Sequence, residues 1–370
     1  MNALILSAGL DTNAGNYRFK VAAERWGSDV LRAFAVGEYD PANVVGRFGE
    51  AAERLGGVAI RSAHRSEAYF EFPRDILWDR HTEMEVRRLA NEADVIHLNN
   101  SWKAYQRLRL RKPALLHHHG SLFRSNPAPL LAASRRLGFV QAVSTIDLLK
   151  IAPDELTWLP TAYDIDALVA FGAAHRRDPD GRLRIVSAPT SRTWKSTDAL
   201  EAAVRELQSE GLPVDLVLVE GKPWAECLTT KATADIYFDQ VILGYGCNAI
   251  EAWGMGIPVV AGADPWATDR MLSEYGTLPF YEATVDTIAS SLRAMVKSPD
   301  LRAEYAERGM AHARRFHDER PALTRLVELY VRAIDGHQPQ PSVSYARPAP
   351  GQSWRQLQDE ARDRRIAART

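Results

Sequence analysis

Short apolar runs alternate with longer amphipathic stretches along most of this chain, which predicts strands that each lead into a helix. Residues 3–7, Ala-Leu-Ile-Leu-Ser, read as a first strand, followed by a Gly/Asn/Asp loop to residue 16 and a helix through Trp26. The runs at 94–98, 114–117 and 139–144 are further short strands, each opening into a polar loop. At 163–182 the pattern changes, and a charged segment precedes a fresh strand at 183–187. The next helix carries Leu200, Val204 and Leu207 at i, i+4 and i+7, with strands at 214–219 and 236–242 after it. Such alternation implies a mostly parallel sheet in each half, hence two doubly wound α/β domains meeting near 163–182. Residues 301–334 read as helix interrupted near Pro321, the last helix packing back onto the first domain.

Composition narrows the class of protein. A chain of 370 residues exceeds one ordinary core. Its 46% hydrophobic and 25% charged residues are ordinary for a globular protein, and a net charge of −1 provides no global attraction to nucleic acid or anionic membrane. No window holds the ~18 uncharged apolar residues of a membrane span. The first residues lack a cationic segment and read as a strand rather than a signal peptide. Cys227 and Cys247 alone make neither a disulfide framework nor a thiolate metal site, so a reducing cytoplasm is expected.

The end of the chain differs. Residues 336–370 carry Pro339, Pro341, Pro348 and Pro350, a linker pattern, then a short basic helical stretch, with six Arg against three acidic residues over the whole segment, a net +3. A charge run of this kind is either a solvated tail or a guide for an anionic partner.

Residues 235–260 are the most informative. They read as a strand, a glycine-bearing loop (Gly244, Tyr245, Gly246, Cys247), a short helix from Asn248, and a second strand after Gly-Met-Gly-Ile-Pro. A helix start with free N–H groups at the rim of a parallel sheet is a place for phosphorylated ligands. Arg192 and Lys195, in the loop after strand 183–187, add a planar fork and a mobile point charge. As solvated loop charges they would need no ligand. Glu251 reads either as an acceptor for ribose hydroxyls or as a cap of its own helix, three residues after Asn248. Gly15 and Asn16 place backbone amides where a phosphate or sugar can sit, or simply form a βα turn. His117 and His119 share one face of a strand while His118 points away, so the triplet does not chelate and no metal site is expected. Asp164/Asp166 and Asp178/Asp180 read as turn or cap residues.

With these residues in hand, segments 94–98, 114–120, 139–164, 185–207 and 235–262 resemble, in order, the large family 4 of retaining glycosyltransferases. Ala-Pro-Thr-Ser-Arg-Thr-Trp-Lys-Ser-Thr looks like that family's phosphate loop, and Pro160-Thr-Ala-Tyr-Asp164 like its domain junction. The resemblance is strong in the second half, looser in the first, and leaves the tail out. It implies a GT-B fold, two Rossmann-like domains facing across a cleft. The first would be residues 1–163 plus a helix at about 321–335 and would hold the acceptor. The second would be residues 164–320 and would hold a nucleoside diphosphate sugar, with 336–370 as linker and basic tail. It further implies that Arg192 and Lys195 bind the diphosphate, Glu251 the ribose, and that His119 lies near the sugar. Gly15, Asn16 and the 244–248 loop complete the donor contacts.

One position departs from the family: the first of its two glutamates, eight residues before the second, is Leu243. Backbone groups of 244–247 would then take over some sugar contacts. The expected activity is metal- and cofactor-independent transfer of a hexosyl or related group with retention. The acceptor is a glycan, a lipid-linked intermediate, a small molecule or a nucleic acid base. A nucleotide-sugar epimerase of the same fold, or a binding protein without catalysis, are the alternatives.

Overall fold

The computed structural model describes residues 30–336, except 39, 41, 66–68, 73 and 74. The strand at 3–7, the helix to Trp26, Gly15, Asn16 and the basic tail lie outside the described residues.

The first sheet comprises β1 (Leu31–Gly37), β2 (Val58–His64), β3 (Ile76–Leu77), β4 (Val95–Asn99), β5 (Ala114–His118), β6 (Val140–Val143) and β7 (Leu156–Trp158). Its order is β3-β2-β1-β4-β5-β6-β7, and every pairing is parallel. Helices α1 (Val44–Leu55), α2 (Glu83–Glu92), α3 (Trp102–Arg107), α4 (Gly120–Ser125) and α5 (Pro127–Leu137) connect the strands, with a 3₁₀ turn at Ile146–Ile151. β1 and β2 lie between β3 and the central β4 of this sheet, yet they are absent from the strands expected above. Their runs, Leu-Arg-Ala-Phe-Ala-Val-Gly and Val-Ala-Ile-Arg-Ser-Ala-His, are interrupted by charged or polar residues. Arg61 and His64 are nonetheless buried there.

The second sheet has the order β12-β11-β10-β8-β9, again all parallel. Its strands are β8 (Leu183–Ser187), β9 (Val214–Leu218), β10 (Ile236–Phe238), β11 (Val259–Ala261) and β12 (Tyr281–Glu282). Helix α6 (Ile165–His175) leads into it, and α7 (Thr197–Ser209), α8 (Trp224–Ala232), α9 (Cys247–Gly254), α10 (Pro265–Tyr275), α11 (Ile288–Lys297) and α12 (Pro299–His312) complete the layer. The expected strand at 236–242 stops at Phe238, because Asp239 and Gln240 turn their side chains onto the following loop. Helices α6 and α9 approach at small residues. A Cβ on Gly254 would stand 2.6 Å from Leu168 Cδ1, and one on Gly172 2.8 Å from Met255 Cβ. Larger side chains there would push the two helices apart.

The chain then returns to the first sheet. A π-helical segment, Ala313–His317, ends at Asp318, and α13 (Glu319–Asp335) follows. The interruption thus lies at 313–318 and not at Pro321, which sits in the first turn of α13 where its missing N–H removes no helical bond. Ala322, Leu326, Leu329, Tyr330 and Ala333, spaced as one helical face, pack with Ala33, Ile60, Val95 and Leu115 of the first sheet. No helix among the described residues is long and apolar enough to cross a membrane.

Candidate active site

The loop from β8 to α7 folds back on itself, with Lys195 N–H donating to Ser191 O (3.0 Å) and Thr197 N–H to Arg192 O (2.9 Å). This compact turn carries both expected phosphate ligands, and their surroundings differ. Lys195 forms an ion pair with Asp239, whose side chain is fully buried. The other oxygen of Asp239 accepts from the Gly246 N–H at 2.7 Å, where α9 begins. Asp239 therefore anchors Lys195 beside the N-terminus of α9. Arg192 instead reaches Asp198 and Glu201 of α7 (2.8 Å each) and Glu220 after β9 (3.1 Å). Hydrogen bonds to Glu201 and Asp198 hold its guanidinium firmly charged. Its fork is occupied by the chain's own carboxylates.

The loop before α9 is braced from within. Gln240 Oε1 accepts from the Leu243 N–H at 2.8 Å, and Gln240 Nε2 donates to Gly244 O at 2.5 Å. Gly244 adopts φ 93°, the left-handed region that only glycine enters freely, and its N–H donates to Gly262 O at 2.9 Å. The Tyr245 side chain turns into the core, its hydroxyl 2.7 Å from His312 Nε2 and 3.1 Å from His317 Nε2. His317 Nδ1 lies 3.0 Å from Thr161 O, which only a protonated Nδ1 can satisfy. His317 Nε2 is then an acceptor, so the Tyr245 hydroxyl donates to His317 and accepts from His312. Asn248 ties α9 to the β8 loop by donating to Ala188 O (3.1 Å), while its Oδ1 accepts from Lys231 Nζ (2.9 Å). Burial pushes the Cys247 thiol up, so it is no nucleophile at neutral pH.

Glu251 does not cap its own helix; the residue before α9 is Gly246, and no side chain caps it. The carboxylate is 2% exposed and ringed by four donors. Its Oε1 accepts from Arg47 Nη2 (2.9 Å), Trp224 Nε1 (2.9 Å) and the Tyr163 hydroxyl (3.4 Å), and its Oε2 from Lys231. Burial alone would raise its pKa, but the charges of Lys231 and Arg47 prevail and hold it below the usual carboxylate range. Arg47 comes from α1 of the first domain. Sequence reading missed Arg47, Lys231, Trp224 and Asp239, because no local pattern links residues so far apart.

His119 follows β5 and is half-buried; its N–H donates to Asn100 Oδ1 at 2.6 Å. As strand alternation requires, its ring faces that of His117 at 4.1 Å, while His118 stacks on Phe123 at 3.9 Å. A chain of rings runs inward from there. His117 Nδ1 is 3.2 Å from His97 Nε2, and His97 Nδ1 is 2.9 Å from the Tyr330 hydroxyl. Burial, only partly opposed by Asp40, lowers His119 to about 3, and burial likewise lowers His97 to about 3. These histidines are neutral hydrogen-bonding groups at physiological pH. Among the described residues no cluster of three or more His, Cys, Asp or Glu is placed to hold a metal ion.

The domains leave a narrow crevice between them, with room for little more than a water molecule. Ile146, Asp147 and Trp158 line it from the first domain, and Leu243, Tyr245 and Met271 from the second. Leu243 thus gives an apolar wall at the position where the resemblance implies a glutamate.

No family model matches the sequence, and no curated protein matches it. Solved structures match in fold. A glycosyltransferase from Rickettsia africae superposes with a TM-score of 0.59 at 12% identity, covering 83% of this chain and 99% of that one. The HepE protein of Anabaena in complex with UDP-glucose gives 0.57 at 14% identity, covering 81% and 99%. A Listeria monocytogenes protein assigned as a UDP-N-acetylglucosamine 2-epimerase gives 0.50 at 15% identity, covering 85% and 100%. With its two parallel Rossmann-like sheets of seven and five strands, the chain has the GT-B fold.

Proposed function

We propose that this protein is a retaining, metal-independent glycosyltransferase that takes a hexosyl or related group from a nucleoside diphosphate sugar. The observation that carries the reading is the junction of Lys195, Asp239 and the start of α9 at the rim of the second sheet. A cation there, beside helix amides, suits a diphosphate and supports its departure as positive charge builds at the anomeric carbon. Arg192 joins once it exchanges its carboxylates for phosphate oxygens, which it grips as a planar fork. In this reading residues 164–320 hold the donor, with Glu251 on the ribose and the 244–248 loop around the sugar. Residues 1–163, with the returning α13, hold the acceptor, and neutral His119 offers a hydrogen bond to the transferred sugar. Leu243 favours a sugar with fewer hydroxyls on that side. The cytoplasm is the compartment that supplies such donors.

Two other readings have specific support. The fold shared with the Listeria protein favours an epimerase, and the apolar Leu243 with a carboxylate-bound Arg192 favours a binder without turnover. Incubation with UDP-, GDP- and ADP-hexoses separates the three. Release of the nucleoside diphosphate with the hexose moved to water or an added acceptor supports the transferase. An isomeric nucleotide sugar of unchanged mass identifies an epimerase, and binding without any conversion identifies a binder.

A further inference from the structure

The Glu251 cluster holds more positive than negative charge. Two cations, Arg47 and Lys231, meet one carboxylate, and all three are buried. The Arg47 guanidinium lies in an aromatic box, 4.0 Å from the Tyr163 ring centre and 5.1 Å from that of Trp224, with Phe72 at 5.8 Å. Its Nε is buried without a hydrogen-bond partner. Three of the four donors that Glu251 meets crowd Oε1, which offers about two lone-pair sites. The carboxylate is buried behind them, so no ribose hydroxyl reaches it until one neighbour leaves.

Three of those donors cannot leave cheaply. Lys231 and Trp224 belong to α8, packed within the second domain, and Tyr163 sits at the junction. Arg47 alone comes on a helix of the first domain, so a rotation of the domains is the motion that carries it away from the other three. Withdrawal also leaves Lys231 and Glu251 as a balanced pair, and opens a slot walled by Tyr163 and Trp224 beside the carboxylate. A second ion pair across the domains, Lys150 to Asp264 at 2.8 Å, is solvent-exposed and resists opening weakly.

We propose that Arg47 is an internal plug: it fills the slot that a nucleoside takes against Tyr163, Trp224 and Glu251, and the domains must open before a donor nucleotide enters. This rests on the reading of Glu251 as the ribose acceptor. The planar guanidinium stands in for a planar base and for the hydroxyls that donate to the carboxylate. Donor affinity is then reduced by the fraction of molecules in the open state.

Arg47→Met tests this, since it keeps apolar volume in the box and leaves Lys231 paired. Titration with UDP, GDP and ADP should show at least tenfold tighter binding of one nucleotide by the variant than by the wild type. Equal or weaker binding by the variant overturns the plug and makes Arg47 a nucleotide ligand. Hydrogen exchange without nucleotide reads the latch independently: amides of α8 and α9 should exchange faster in the variant, and unchanged exchange overturns it. Should neither protein bind any of the three nucleotides while exchange still rises, the interdomain latch stands and the nucleotide reading of Glu251 fails. Arg47→Lys, with its charge kept and its reach shortened, should fall between the two and serves if Arg47→Met does not fold.

Discussion

Arg47 of the first domain donates to Glu251 of the second across 2.9 Å, and neither side chain is exposed by more than 8%. The pair joins residues 204 positions apart, in a cluster that Lys231 completes from the second domain. Buried charges in such an arrangement are expensive to separate unevenly.

Removing the carboxylate should therefore be costly. Glu251→Gln leaves Arg47 and Lys231 facing each other without compensation, and a loss of about 3–5 kcal/mol is expected from urea unfolding at neutral pH. Lys231→Met, which leaves a balanced Arg47–Glu251 pair, should cost less. Because the native carboxylate titrates below the usual range, its contribution is full above the unfolded pKa near 4.5 and fades as pH falls through the native value. Equal stability of Glu251→Gln and wild type would contradict the cluster's role.

Buried histidines act over a different pH window. Burial outweighs the hydrogen bond that His118 donates to Gln141 and lowers His118 to about 4, against an unfolded value near 6.5. The unfolded chain thus binds more protons between those values, and stability should fall as pH drops below 6.5. The slope contributed by one fully titrating histidine is about 1.4 kcal/mol per pH unit. His118→Gln should flatten the decline between pH 6.5 and 5; an unchanged slope would exclude His118 as its source.

At the proposed phosphate site, Lys195→Ala and Arg192→Ala should each weaken nucleotide binding by about 1–3 kcal/mol, the range for charge-assisted contacts. Lys195→Ala should also destabilise the fold, since Asp239 is buried and loses its cation. Turnover should persist in EDTA. Activity lost in EDTA and restored by Mn²⁺ would refute a mechanism built on side chains and helix amides.

Leu243 should set sugar preference. Leu243→Glu places a carboxylate in the pocket beside Trp158 and Met271, and should shift kcat/KM toward fully hydroxylated hexoses. An unchanged ratio between hexose and deoxyhexose donors would remove Leu243 from the sugar site.

The sequence made the second domain more legible than the first. Strands 183–187 and 214–219 are nearly continuous apolar runs, and the Gly-x-Gly-x-Pro turn after α9 marks its end. β2 escaped because Arg61, Ser62 and His64 break its apolar character, whereas β1, with Arg32 as its one charge, carries the same pattern as β8. Lys195 and the start of α9 were legible as neighbouring loops at the rim of the second sheet. Their internal partners were not, since Asp239 and Arg47 become neighbours only through the fold. Tyr245 shows the limit of motif transfer: its backbone lies in the expected loop, while its hydroxyl serves a histidine pair in the core.

The central claim, that the second domain binds a nucleoside diphosphate sugar, is tested most directly by thermal unfolding against a panel of UDP-, GDP- and ADP-sugars. A ligand at 100 times its Kd stabilises the native state by about 2.7 kcal/mol. One donor should raise the Tm of the wild type, raise that of Arg47→Met further, and raise that of Lys195→Ala less. No shift with any donor in either the wild type or Arg47→Met would contradict the account.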